Sequence, residues 1–203
     1  MTLGFLDRLL PQPRTTLPAV IHGLSQTRAY WEGLRQGSAL PQRKAIDPRG
    51  LVGVLDRVFL ADRIGRGVAQ IRIAGSALTD FAGMDVRGLP LSCLFGAESR
   101  GLLGDTLEKV FTGPAVAELD LGSDRTPGPF ARLLLLPLED ETGGRLVLGA
   151  MGFAEERHAR CKLQILSRRE EVLQLARAAV DDMPLAVEPL RRRGHLALVH
   201  SAE

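Results

Sequence analysis

Cysteine is nearly absent from the chain: Cys93 and Cys161 are the only two among 203 residues, and they stand at no metal-ligand spacing. A disulfide framework and a zinc site of the usual spacings are thereby excluded, and the thiol content suits a reducing, cytoplasmic compartment. Aromatic residues make up only 4%, too few for a surface that stacks several bases, so nucleic acid is not an expected partner. No apolar run reaches the ~18 residues of a membrane span, because Arg or Asp interrupts each one. The opening Met1–Leu10 stretch carries Asp7 inside its apolar part and no small-residue cleavage site, unlike a secretory signal. Lysine is scarce too: Lys44, Lys109 and Lys162 are the only lysines among 26 basic residues. The net charge is just +2, and the Arg191-Arg192-Arg193 triplet offers a polyanion only a salt-sensitive contact. Enzymatic signatures are missing as well. Gly101-Leu102-Leu103-Gly104 is followed by no Gly-Lys-Ser/Thr, and Ser92 and Ser123 sit in no nucleophile elbow. No catalytic residue is expected.

What is present is the composition of a globular chain, 45% hydrophobic and 25% charged, with periodic patterns along most of its length. Residues 1–25 hold Pro11, Pro13 and Pro18 and little periodicity, and read as an N-terminal arm. Over 26–36, Tyr30, Trp31 and Leu34 share one helical stripe, with Ser25 or Thr27 as the cap. Asp47-Pro48 sets an N-cap before a helical proline, predicting a helix through Leu51, Val52, Val54 and Leu55. These flanking helices occupy 26–55.

The pattern then turns to strands. Residues 57–64 and 68–73 flank Gly65-Arg66-Gly67, a hairpin signal. A short helix is expected at 76–82 and a longer one at 98–112, with Leu102, Leu103, Leu107, Val110 and Phe111 on its apolar side. Strands follow at 114–122, 129–138 and 145–154, separated by polar turns. Domain boundaries fall at 56–155 for this core, 156–180 for a C-terminal helix and 181–203 for a tail. Strands joined by hairpins rather than crossovers argue for an α+β fold with an antiparallel sheet. Leu133 and Leu135 oppose Leu134 and Leu136 across one strand, and Leu146 and Leu148 oppose Val147 and Met151 across the next. A half-exposed strand would alternate with polar residues, so both faces of this sheet must be covered.

Several phrases carry a resemblance. Tyr30-Trp31-Glu32-Gly33-Leu34-Arg35, Leu40-Pro41-Gln42-Arg43 and Ile46-Asp47-Pro48 look like the opening of a family of small PAS-domain proteins found chiefly in alphaproteobacteria. Arg72-Ile73-Ala74-Gly75-Ser76, followed by Phe81-Ala82-Gly83-Met84-Asp85-Val86-Arg87-Gly88, is similar to its glycine block, with Ser76 where that block carries Thr. The match covers roughly 26–155. The resemblance implies a PAS-like five-stranded antiparallel sheet of order 2-1-5-4-3 with helices on one face, flanked by N- and C-terminal helices. It also implies a sensing or interaction role, in which a ligand would lie under the 76–112 helices. Ile71, Ile73, Phe81, Leu94, Leu103, Leu107 and Phe111 are the candidate lining.

No cofactor is specified, and flavin and haem are disfavoured. Cys93 lies in Leu91-Ser92-Cys93-Leu94-Phe95, which lacks the Asn-Cys-Arg-Phe-like phrase and polar ring-binding residues of flavin-binding light sensors. No histidine falls in 98–112, and none of His22, His158, His195 and His200 belongs to the sheet region. Arg72 is expected to pair with Asp62 or Asp80. The function expected is a stand-alone sensor or adaptor in bacterial signalling that acts through a downstream signalling protein. The alternative is a structural interaction module with a filled core, and a more distant one is an enzyme on a hotdog-like or lipocalin-like scaffold. In the C-terminal helix, Leu166, Leu173 and Val180 recur every seven residues, a stripe of the kind used between helices. Trp31 is expected first to pack its helix on its own domain; the other reading makes Tyr30 and Trp31 aromatic anchors to a partner subunit. Together with the apolar outer face, the stripe predicts a homodimer through the flanking helices and that sheet face.

Overall fold

The computed structural model describes residues 18–35, 39–123, 125, 128–153, 161–174, 191–193 and 196–198. Helix α1 spans Pro18–Leu34, and short 3-10 turns follow at Arg43–Ala45, Pro48–Leu51 and Leu55–Arg57. The core continues with β1 (Val58–Gly65), β2 (Val68–Ala74), α2 (Ser76–Ala82), a 3-10 turn at Leu91–Leu94 and α3 (Ala97–Thr112). It is completed by β3 (Ala115–Ser123), β4 (Ala131–Glu139), β5 (Arg145–Phe153) and β6 (Leu163–Val172). A separate antiparallel pair is formed by β7 (Arg191–Arg193) and β8 (Leu196–Leu198).

The large sheet has the order β2-β1-β5-β4-β3-β6, and every neighbouring pair is antiparallel. The expected five-strand order is therefore present, extended by one strand. Its hairpins follow the sequence signals. In the β1–β2 turn Gly67 has φ of 65°, open to glycine at no steric cost. The Glu108 carboxylate fastens that turn to α3, accepting from the Gly67 N–H at 2.9 Å and from Arg63 Nη2 at 2.7 Å.

Both faces of the sheet are covered, as the two-sided apolar strands require. On one face α2 and α3 bury Leu78, Leu103, Leu107 and Phe111 against Phe59, Leu119, Leu133, Leu135, Val147 and Met151. On the other, α1 and the 40–58 segment bring Leu24, Trp31, Leu40, Leu51 and Val54 onto Leu134, Leu136, Leu138, Leu146 and Leu148. Alternate residues of β4 thus enter two different cores. Phe59 lies so close over Gly149 that a Cβ there would stand 2.0 Å from its ring.

Pro137 explains how α1 docks. A proline offers no N–H to a ladder, and the β3–β4 pairing stops at Ala117↔Leu135, before it. The Glu139 N–H beyond it donates to the Pro41 carbonyl at 3.1 Å instead. The Pro137 carbonyl is taken by the Trp31 indole, whose Nε1 donates to it at 2.9 Å. Trp31 is fully buried, and the Arg35 guanidinium lies 5.3 Å over its ring.

Four sequence expectations are corrected. Helix α1 begins at Pro18, inside the expected arm; Thr27 is a buried mid-helix residue whose Oγ1 donates to the Gly23 carbonyl at 2.9 Å. Asp47 does cap, accepting from the Arg49 N–H at 2.9 Å, but the helix it starts is a single 3-10 turn. Gly53, with φ of 91°, interrupts continuation through Val54 and Leu55. The largest correction lies at the C-terminal side: 163–172 is the edge strand β6 on β3, not a helix. A register shift between Asp120 and Leu121 accommodates an extra residue, Leu166. This bulge breaks the alternation, and with it the strand signal in the sequence. The fourth is the face of Ile73, described below. The expected N-terminal 1–17 segment, and the parts of the expected helix and tail at 154–160, 175–190 and 199–203, lie outside the described residues.

Trp31→Phe should keep much of the packing but orphan the Pro137 carbonyl, costing about 1–3 kcal/mol in urea unfolding followed by circular dichroism. Trp31→Ala should cost about 3–5 kcal/mol.

Candidate functional site

The face beneath α2 and α3 is where a ligand was expected, and the local chemistry that builds it is simple. Helix α3 places Leu103, Leu107, Val110 and Phe111 at i, i+4, i+7 and i+8, one stripe toward the sheet. Helix α2 ends at Gly83, whose φ of 66° and N–H bond to the Thr79 carbonyl form a left-handed cap. This short helix points Leu78 and Phe81 inward. Phe81 stacks on Phe153 with ring centroids 4.9 Å apart and stands 6.5 Å from Phe130. The 3-10 turn at Leu91–Leu94 adds Leu91 and Leu94 at the margin.

Of the expected lining, Ile71, Phe81, Leu94, Leu103, Leu107 and Phe111 come together in this one cluster, Ile71 and Leu103 with no exposed surface. Ile73 does not. A register shift between Leu60 and Ala61 opposite it breaks the period of two, so Ile71 is buried while Ile73 is 51% exposed. Sequence reading missed Phe59, Phe95, Phe130 and Phe153; apolar strand ends beside glycine turns were the available signal. Two hydroxyls are buried on α3 beside this cluster, and both are bonded: Thr106 Oγ1 donates to the Leu102 carbonyl at 2.7 Å, and Ser99 Oγ accepts from the Ile165 N–H at 3.0 Å. Among the described residues no group of three or more His, Cys, Asp or Glu is arranged to hold a metal ion.

A family model described as PAS domain matches residues 21–152. The chain belongs to the PAS-domain family. No curated protein matches it.

Within this PAS domain the two sequence blocks that carried the resemblance have clear tasks. The Tyr30 hydroxyl accepts from the Asp47 N–H at 2.7 Å and donates to the Asp47 carbonyl at 3.1 Å. Its ring lies where a Cβ on Gly50 would be, 2.1 Å away. The Tyr-Trp pair and the Asp-Pro-Arg-Gly turn therefore form one clasp on the outer face. In the second block, Gly75 passes so near the Asp56 carbonyl that a Cβ would sit 2.3 Å from it. Arg72 pairs with Asp62 at 2.5 Å, one of its two expected partners.

The residues expected at a dimer interface are not gathered on one surface. Trp31 is buried in its own chain and Tyr30 is half-buried in the clasp. Leu173 is 7% exposed in the outer core, whereas Leu166 is 49% exposed at the β6 bulge. Val180 lies outside the described residues. The heptad spacing belongs to a strand and the turn after it, so it forms no helical stripe here. Cys93 is half-buried, and burial raises its thiol pKa against the opposing charges of Lys162 and Arg100. A protonated thiol of this kind is a packing group more than a nucleophile.

Strand β6 is held by charge. On the outer face Asp120 accepts from Arg132 Nε and Ser167 Oγ, each at 2.7 Å, and Arg169 stands 3.8 Å away. Burial pushes the Asp120 carboxyl upward, but those hydrogen bonds and the charges of Arg132 and Arg169 outweigh it, leaving it below its ordinary range. On the inner face Lys109 of α3 binds Glu170 at 2.7 Å, and the Ser99 hydroxyl accepts from the Ile165 N–H at 3.0 Å. Arg28 of α1 reaches Glu171.

Two outcomes are expected. Phe111→Ala should lower unfolding stability by about 3–5 kcal/mol if the cluster is tightly packed; a near-neutral result would show that Phe111 lines open space. Because the folded Asp120 carboxyl titrates low, its contribution is present above the ordinary carboxylate pKa and lost as pH falls through the folded value. The stability advantage of wild type over Asp120→Asn should thus be full at neutral pH and shrink below about pH 4 in pH-dependent melting.

Proposed function

We propose that this PAS domain is a cytoplasmic sensor or adaptor module that takes an apolar, uncharged small molecule between the sheet and α2 and α3. The observation that carries the proposal is the chemistry of that face: among the described residues no charged side chain is buried, and the two buried hydroxyls of α3, Ser99 and Thr106, are already hydrogen-bonded. A charged ligand would lose its hydration there without a partner, whereas a carbon-rich one would exchange equivalent contacts. The sequence blocks at Tyr30–Asp47 and Arg72–Gly88 support a place among the small PAS proteins of alphaproteobacteria.

Output would pass through contacts, to another protein. Helix α3 is tied to β6 by Lys109 and Ser99, and β6 to α1 by Arg28. A ligand that shifts α3 thus has a physical route to the opposite face, provided its affinity differs between the two positions. Near-complete burial of Ile71, Leu103, Leu107 and Phe111 favours a second reading, a filled core serving interaction alone. A homodimer is proposed too, without the heptad stripe, whose first half is the strand Leu163–Val172. Light scattering at micromolar concentration tests it, and a mass of 22.0 kDa unchanged by concentration would remove it.

The two functional readings separate in one experiment. Organic extraction of the purified protein with mass spectrometry, followed by thermal shift against fatty acids and other apolar compounds, should find a stabilising ligand. Leu107→Trp, which fills the face, should abolish that shift while the protein remains folded. If no compound is extracted and none raises the melting temperature, the filled-core module is the correct reading.

A further inference from the structure

At the end of the sheet where the β1–β2 and β4–β5 turns lie side by side, an open groove of about 490 Å³ is lined by Arg43, Arg63, Arg72 and Arg145, with Asp62 and Asp140. Ile64 and Leu146 supply apolar surface beside them. We propose that this groove binds a small polyphosphorylated anion, at a site separate from the apolar face under α2 and α3.

The inventory of donors and acceptors supports this. Each guanidinium carries five N–H donors in a planar fork suited to phosphate oxygens. Arg72 gives its Nε to Asp62 at 2.5 Å, Arg63 its Nη2 to Glu108 at 2.7 Å, and Arg145 places Nη1 3.3 Å from Glu139. These partners orient the three side chains, which stay 33%, 50% and 34% exposed in the order Arg63, Arg72 and Arg145. Arg43 makes no ion pair or side-chain hydrogen bond among the described residues, but its charge acts on Asp140, whose carboxyl is held below its ordinary range first by bonds from Thr142 and Gly144 and also by Arg43. The two lining carboxylates are each bonded at one oxygen, Asp140 at Oδ1 and Asp62 at Oδ2. Asp140 accepts from the Thr142 N–H, the Thr142 hydroxyl and the Gly144 N–H at 2.6–2.8 Å, closing its own turn. Asp62 is held by Arg72. Four guanidiniums against two carboxylates, each carboxylate partly bonded within its own surroundings, favour a ligand that is all acceptor. Several guanidiniums around one opening suit more than one phosphate.

The test is isothermal titration with inorganic pyrophosphate and with ATP at low ionic strength. Saturable binding is expected, weakening as salt is added. The Arg43→Ala/Arg145→Ala double variant should bind about tenfold or more weakly. Arg169→Ala, on the far edge strand, should bind like wild type. Arg43 is exposed and its described interaction is a long-range charge effect on Asp140, so Arg43→Ala is expected to stay folded and supplies the same comparison should the double variant unfold. Absence of saturable binding by both probes would overturn the proposal. So would wild-type affinity in Arg43→Ala and the double variant, or an equal loss in Arg169→Ala. None of these results depends on whether the apolar face binds a ligand.

Discussion

A sheet that is apolar on both faces must be covered twice, and the contact that secures the second cover is the Trp31 indole on the Pro137 carbonyl. Leaving Leu134, Leu136, Leu138 and Leu148 in water would forfeit roughly 25 cal/mol for each Å² of apolar surface. Helix α1 supplies the cover, but hydrophobic contact alone is non-directional and would let a helix slide. The indole bond gives direction. Proline ends the β3–β4 ladder, which frees a buried carbonyl, and an unsatisfied carbonyl there would be costly. One residue type therefore creates both the need and the address. The Tyr30 clasp on Asp47 and Gly50 then fixes the chain that follows α1.

The two cores are chemically alike but differently bounded. The outer one is closed by a single helix and a run of 3-10 turns; the inner one is roofed by two helices and an aromatic stack at its edge. Strand β6 joins them, because its charged side chains meet α3 on one face and α1 and Asp120 on the other. These part-exposed pairs contribute little each, and the strand is also held by its antiparallel ladder to β3, from Ala115↔Val172 to Ser123↔Leu163. Charges along this edge also oppose pairing with a further strand.

The candidate site was legible wherever periodicity was regular. The α3 stripe, the hairpins and the two-faced strands β4 and β5 could be read because helix and strand repeats place side chains without reference to distant residues. Bulges defeated the same reasoning. Ile71 and Ile73 are two apart and so share a face in a regular strand, but the register shift in the β1–β2 pair sends Ile73 to solvent. Leu166 and Leu173 are seven apart and imitate a heptad, yet the first is a bulge residue and the second follows the strand's end. A bulge is a property of two strands, so neither strand's sequence announces it.

The sequence by itself determined the α+β class, the hairpin order, the two-sided burial of β4 and β5, and the family to which the Tyr-Trp and glycine blocks belong. These follow from local repeats, turn residues and hydropathy, which act over a few residues. Only the tertiary structure decided that Trp31 covers its own sheet, that 163–172 pairs with β3, and that Arg43, Arg63, Arg72 and Arg145 surround one groove. Each of those outcomes joins segments far apart in the chain, through a free carbonyl, a bulged register or the meeting of two turns. Such complementarity exists only after the chain has folded, because it is made of surfaces that no single segment possesses.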